Sequence, residues 1–173
     1  MKITERMIAL AEAAVERARE EFNVNLTFSK RSIIVVEKIL GQLHDRYAAP
    51  RSRTRAKPSE AEAELAVASY LFGAYLGEVF RRHWGGQWRM FRSPSFEPLP
   101  SLNVRGLKIF PSSKAYKRLV DGPQDNVADY FRVVQTLMQD DKSEVKGGVS
   151  PRQRPLPKTS THKTKGRGRT AAQ

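Results

Sequence analysis

The sequence predicts an α+β fold: a mostly helical single domain, about five helices around a central buried helix, with a small two- or three-stranded antiparallel sheet and a disordered basic C-terminal tail. Three observations predict it. Residues 65–77 carry no charge and sit inside a proline-free run of helix formers from Ser59 to Trp84, so one helix is apolar on almost every face and belongs at the centre. Short alternating patterns at 87–91 and 102–110, broken by prolines and glycines, read as strands. Beyond Asp141 large apolar residues become scarce, which bounds the domain at 1–141 and leaves 142–173 as the tail.

In chain order, Thr4 is the candidate cap of a first helix reaching Phe22, with Met7, Ala11, Ala14, Ala18 and Phe22 on one stripe. Val24, Leu26 and Phe28 alternate with polar residues as a short extended lead-in. Ser29 is the candidate cap of a second helix, and Phe28 and Ile33 have the spacing of a hydrophobic staple. Ile33, Val36, Leu40, Leu43 and Tyr47 then form the cleanest amphipathic stripe in the chain. Residues 48–58 hold Pro50, Pro58 and four basic residues. They read as an exposed loop, a solvated linker rather than a phosphate-binding patch.

The central helix follows. Ala66, Ser69, Gly73 and Gly77 step by three, four and four, a ridge of small residues on which another backbone can lie closely. Each helical glycine costs roughly 1 kcal/mol against alanine, so a pair implies a packing reason. Gly85 and Gly86 end the helix. Trp88 and Met90 share one face of the first strand, Leu107 and Ile109 one face of the last, and Arg105-Gly106 turns residues 102–104 back as a hairpin. Pro111 opens a short helix with Tyr116, Leu119 and Val120, closed by Gly122; Asp125 caps a last helix with Val127, Tyr130, Val134 and Leu137 on one face.

The net charge of +13 is unevenly placed. Residues 145–173 contribute +8 with no acid, residues 48–58 contribute +4, and the remainder is left at +1. A basic isoelectric point therefore says nothing about the folded surface. With no cysteine, disulfides and thiolate chemistry are excluded. Glu5, Glu12, Glu16 and Glu20 near the N-terminus fit neither a secretory signal nor a transit peptide, and the uncharged run is too short for a membrane span, so a cytoplasmic location is expected.

Glu78 is the residue of most chemical interest, because stepping back four and seven positions meets Ala74 and Leu71: a carboxylate points among apolar neighbours. Such a group needs a partner, and Arg81, Arg82, a tryptophan N–H or backbone amides can supply one. An architectural role is the commoner outcome; catalysis needs a second titratable group, and His83 lies off its face. Trp84 and Trp88 bracket the double glycine, as satellite core or, with Glu78, as a partner surface or buried polar site. His44, His83 and His162 are scattered, so no metal site is expected, and no G-x-G-x-x-G, P-loop or G-x-S-x-G pattern occurs, so neither a cofactor nor a catalytic residue is assigned.

The tail carries the nucleic-acid signal, through Arg152, Arg154, Lys158, Lys163, Lys165, Arg167 and Arg169. Lys165 to Arg169 looks like the Arg-Gly-Arg core of an AT-hook, with Thr170 where that motif has proline. Arg154-Pro155-Leu156-Pro157 lacks the second anchoring proline of a proline-rich ligand, with Ser160 in its place.

The stretches GAYLGEVFRRHWGGQW and IFPSSKAYKRLVDG make residues 60–138 resemble a group of uncharacterised bacterial domains with a Gly-x-x-x-Gly-Glu helix, a glycine before tryptophan, and a later Pro with Lys-Arg-Leu. The matching positions are Gly73, Gly77, Glu78, Gly86, Trp88, Pro111, Lys117, Arg118 and Leu119. The resemblance implies a bacterial origin and no catalytic residue. Together these readings favour a non-enzymatic protein that docks a macromolecular partner, its tail adding non-specific affinity for nucleic acid. The alternatives are an inhibitory or immunity-type protein with one specific protein partner, and an enzyme centred on Glu78. Plasmid or mobile-element function and toxin neutralisation are the settings these imply.

Overall fold

The computed structural model describes residues 2–48 and 58–144. Among them are five helices and a three-stranded antiparallel sheet: α1 Ile3–Phe22, α2 Ser32–Tyr47, α3 Pro58–Trp84, β1 Gln87–Ser93, β2 Phe96–Val104, β3 Leu107–Ile109, α4 Pro111–Asp121 and α5 Val127–Glu144, the last preceded by a 3-10 turn at Pro123–Asp125. This is the α+β arrangement that the sequence predicts. The exposed loop expected at 48–58 lies, but for its two ends, outside the described residues. Of the tail expected to be disordered at 142–173, residues 142–144 instead continue α5, and the rest lies outside the described residues.

The centre is α3. Nine successive residues, 72–80, are buried, which requires neighbours on every side; α1 and α4 pack along it most extensively, with α2 and β2 completing the surround. The ridge of small residues explains how they come so close. A Cβ on Gly73 would fall 2.3 Å from the Cα and 2.7 Å from the backbone N of Ser112, so the first turn of α4 lies against bare α3 backbone. A Cβ on Gly77 would fall 2.2 Å from the Trp88 ring, so here the close neighbour is an indole rather than a backbone. Beyond Trp84, Gly85 and Gly86 both take positive φ and release the chain into β1; a Cβ on Gly86 would fall 2.7 Å from the Asn103 carbonyl.

The stripes of α1 and α2 are buried as expected, with Met7, Ala11, Ala14 and Ala18 on one and Ile33, Val36, Leu40 and Leu43 on the other. Their starts differ from expectation. α1 begins at Ile3, and Thr4 is already helical; the Glu5 carboxylate reaches back to accept from the Lys2 N–H at 2.9 Å. α2 begins at Ser32 after a tight turn, where Ser29 Oγ accepts from the Ser32 N–H at 3.3 Å.

Two helices are rotated from the expected faces. In α4, Tyr116 and Val120 are exposed, and the buried face is Pro111, Ser112, Ala115, Arg118 and Leu119. The cause is the contact at Gly73: once Ser112 is pinned against α3, the positions three and seven further on must share its face. In α5 the buried positions are Val127, Phe131, Val134 and Met138, while Leu137 is exposed and Tyr130 half-buried. Phe131 turns inward because it joins the rings of Phe80 at 4.7 Å and Trp84 at 5.8 Å. Asn126, not Asp125, caps α5, its Oδ1 accepting from the N–H groups of Ala128 and Asp129 at 2.8 and 3.0 Å; the Asp125 carboxylate instead meets Lys114 Nζ at 2.7 Å.

The sheet runs β1-β2-β3 with antiparallel pairing throughout. Arg105 and Gly106, both at positive φ, make the two-residue hairpin that pairs Val104 with Leu107. β2 is longer than the sequence suggests, since it includes Pro98 and Pro100. Its pairing with β3 spans only residues 102–104, so the prolines lie where β3 covers no edge and their missing N–H groups disturb no pairing on that side. Trp88, Leu102, Val104 and Ile109 enter the core, whereas Met90, expected on the face of Trp88, is exposed.

Gly73→Ala is expected to destabilise the domain by about 1–3 kcal/mol in spite of its gain in helix propensity, because the added methyl group strikes backbone that cannot rotate away. Urea unfolding followed by tryptophan fluorescence measures it; Val67→Ala, at an exposed position of the same helix, should change stability by less than about 1 kcal/mol.

Candidate functional site

Glu78 is fully buried on α3, as its spacing predicted, and both of its oxygens are taken. Arg81 Nε donates to Oε1 at 2.7 Å and Arg81 Nη2 to Oε2 at 2.9 Å, a two-pronged pairing across one helical turn. Trp88 Nε1 donates to Oε1 at 2.8 Å from β1, and Arg82 Nε stands 3.6 Å from Oε2. The sequence placed the right donors within reach, since residues three and four positions on share a helix face.

The network continues past the carboxylate. The Arg82 guanidinium lies 3.5 Å from the centre of the Phe28 ring, which stacks on Tyr75 at 4.6 Å. The Tyr75 hydroxyl accepts from the Phe28 N–H at 2.8 Å and lies 2.6 Å from Ser32 Oγ. Phe28 holds φ at +55°, a left-handed conformation costly for a bulky residue, and these contacts keep it there. A single path therefore runs from Trp88 on β1 through Glu78, Arg82, Phe28 and Tyr75 to the start of α2.

Burial by itself pushes the Glu78 carboxyl up, but hydrogen bonds from Arg81 and Trp88 and the charges of Arg81 and Arg82 more than offset it, and the net direction is down. The group is held ionised, with two hydrogen bonds on Oε1 and one on Oε2, where Arg82 adds its charge. That is the electrostatics of a strut: general acid and general base work both call for a pKa near the working pH and access to substrate, and Glu78 is fully buried with its pKa lowered. Burial raises the Tyr75 phenol above its ordinary value. His83 turns away, its Nδ1 placed 2.9 Å from the Val79 carbonyl.

The two tryptophans part company. Trp88 is buried beneath Gly77. Trp84 is half-buried among Phe80, Phe131 and His83, with Lys30 Nζ 4.5 Å above its ring. Glu78 and Trp88 thus meet in a buried polar contact, one of the arrangements the sequence raised, and neither is exposed on the surface of the domain. Arg152, Arg154, Lys158, Lys163, Lys165, Arg167 and Arg169 lie outside the described residues.

A second carboxylate, half-buried, escaped sequence reasoning. Glu37 Oε1 accepts from Arg118 Nε at 2.6 Å, and Glu37 Oε2 accepts from the Val127 N–H at 2.8 Å, so one side chain on α2 ties down α4 and the first turn of α5. Arg118 is only 6% exposed, and its Nη1 is buried without a hydrogen-bond partner. Gly41 makes room for it: a Cβ there would lie 2.9 Å from Arg118 Nη2. Nearby, His44 Nδ1 lies 2.8 Å from the Leu119 carbonyl. The signal present in the sequence was Gly41 itself, an unexplained glycine one turn after a glutamate in a strong helix.

Among the described residues no group of three or more His, Asp or Glu side chains is placed to hold a metal ion, and no helix is long and apolar enough to cross a membrane. Comparison with protein-family models, curated proteins and solved structures returned no match.

Glu78→Gln is expected to cost about 2–4 kcal/mol near neutral pH, through loss of charge-assisted hydrogen bonds and an amide N–H₂ turned toward Arg81. Because the folded pKa lies below the ordinary 4.5, the stability that ionisation contributes is present above that value and fades as pH falls through the folded pKa. Wild type should lose this increment on acidification and the variant should not, so urea titrations at about pH 7 and about pH 3 should show the gap between them closing. Glu37→Ala is expected to cost about 3–5 kcal/mol, because it strands the buried Arg118 guanidinium; thermal unfolding of the two proteins measures it.

Proposed function

We propose that this chain is a non-enzymatic macromolecule-binding protein of the bacterial cytoplasm, in which the folded domain docks a partner and the basic tail adds non-specific attraction to nucleic acid. The observation that carries the reading is the division of charge: +8 in residues 145–173 and +4 in 48–58, against +1 for everything else. Cations gathered on one segment release counterions when they meet a polyanion, whatever its sequence, and a nearly neutral body adds little to that. The geometry of Glu78 supports the same choice over an enzyme centred there, since its ionised oxygens are occupied by Arg81 and Trp88.

A second reading, an inhibitory or immunity-type protein with one specific protein partner, is favoured by a different observation. Val67 and Tyr70 on α3 and Tyr116 and Val120 on α4 are large apolar or aromatic side chains left facing solvent.

The test compares double-stranded DNA binding by the full chain and by a chain ending at Glu144 across a salt series. The full chain should bind with an affinity that falls steeply with salt, its log–log slope approaching roughly −0.9 for each tail cation engaged, and removal of the tail should flatten that slope and weaken binding at least about tenfold at low salt. Equal affinities and slopes would end the assignment of nucleic-acid affinity to the tail.

A further inference from the structure

The rotation of α4 leaves a groove on the domain's surface. Two depressions meet at Leu99, Ser113 and Lys117. One, of about 310 Å³, lies between Tyr70 on α3 and Tyr116 on α4, with Pro100 of β2 along its side. The other, of about 600 Å³, continues past Lys108, Ile109 and Phe110 to Lys114 and Tyr130. Their shared residues make one elongated trough that passes from α3 across the first turns of α4 to α5.

We infer that this groove is a docking site for an extended acidic peptide of a protein partner, held by an apolar or aromatic anchor between Tyr70 and Tyr116 and by carboxylates against Lys117 and Lys108. The inference rests on the partner-docking reading of the folded domain and specifies where and what it docks. Lining that continues from α3 across α4 to α5 favours an extended chain over a compact small molecule. The walls, Leu99, Pro100, Ile109 and the two tyrosine rings, suit apolar side chains. Charge selects the sign of the occupant: Lys108, Lys114 and Lys117 line the trough. Lys114 is held by Asp125 at 2.7 Å and Lys108 lies 4.9 Å above the Phe91 ring; Lys117 is near enough for its charge to act on the Asp125 carboxylate but makes no salt bridge within 4 Å among the described residues.

Two competing occupants fit less well. Three lysines, one already paired, on a body of net charge +1 are few for a phosphodiester backbone, which makes nucleic acid the tail's ligand rather than the groove's. The chain's own tail, with eight basic residues and no acid, carries the same sign as the rim. Pro98 and Pro100 also remove N–H groups from the stretch of β2 beside the groove, so the peptide is held through its side chains and not as an added strand.

The test uses the full chain and a phage-displayed library of random dodecapeptides. Selection should enrich peptides with an aromatic or aliphatic residue flanked by Asp or Glu. By isothermal titration, the enriched peptide should bind Tyr116→Ala and Lys117→Glu at least about tenfold more weakly. Both positions are exposed, so the variants should keep the wild-type unfolding midpoint. A peptide with its acids changed to lysine should bind Lys117→Glu better than it binds wild type, which damage to folding does not produce. Enriched peptides that bind wild type and both variants equally would overturn the groove and leave a docking domain with its site elsewhere. Failure of any peptide to enrich on wild type would overturn the groove and the docking reading together.

Discussion

Everything in this domain depends on how closely two neighbours can approach α3. A helix buried on all sides must be surrounded within a small radius, and ordinary side chains hold packed helices about 8–10 Å apart. Gly73 and Gly77 remove that spacing on one ridge. Ser112 then sits against bare backbone and the Trp88 indole slides over the second glycine. These two contacts set the height and rotation of α4 and the position of β1, and with them which residues of the outer elements face inward.

The polar interior follows from the same closeness. Pressing β1 and α4 onto α3 buries Glu78 among apolar groups, and bringing α2, α4 and α5 together buries Arg118; each charge has to be answered where it stands. Glu78 is answered by Arg81 from its own helix and by Trp88 from the strand above it, Arg118 by Glu37 from another helix. Such pairs add little net stability compared with well-packed apolar groups, but they tolerate little displacement. They act as locating pins: one fixes the sheet to the central helix, the other fixes the last two helices to α2.

The same arrangement shapes the outer surface. Because Ser112 is pinned, Tyr116 and Val120 turn to solvent, and the groove between Tyr116 and Tyr70 is a by-product of tight packing elsewhere. In the proposed function, the folded body of nearly balanced charge would make the selective protein contact through its groove, and the cationic segments would supply the long-range, salt-sensitive attraction. Division of labour between the two is the physical core of the functional proposal.

By itself the sequence determined the elements and the burial of the central helix, because periodicity and composition are local properties: the stripes at Met7 to Ala18 and Ile33 to Leu43, the hairpin at Arg105-Gly106 and the arginines beside Glu78 all follow from spacing along the chain. It misplaced the Thr4 and Asp125 caps, where a neighbouring residue competes for the same role. It also misjudged the faces of α4 and α5, because in both helices two adjacent stripes have similar hydrophobicity and only a partner chooses between them. Only the tertiary structure decided that Ser112 meets Gly73, that Arg118 meets Glu37 from 81 positions away, and that prolines lie within β2. These are contacts between segments distant in sequence, and no local period encodes which surface will lie against which.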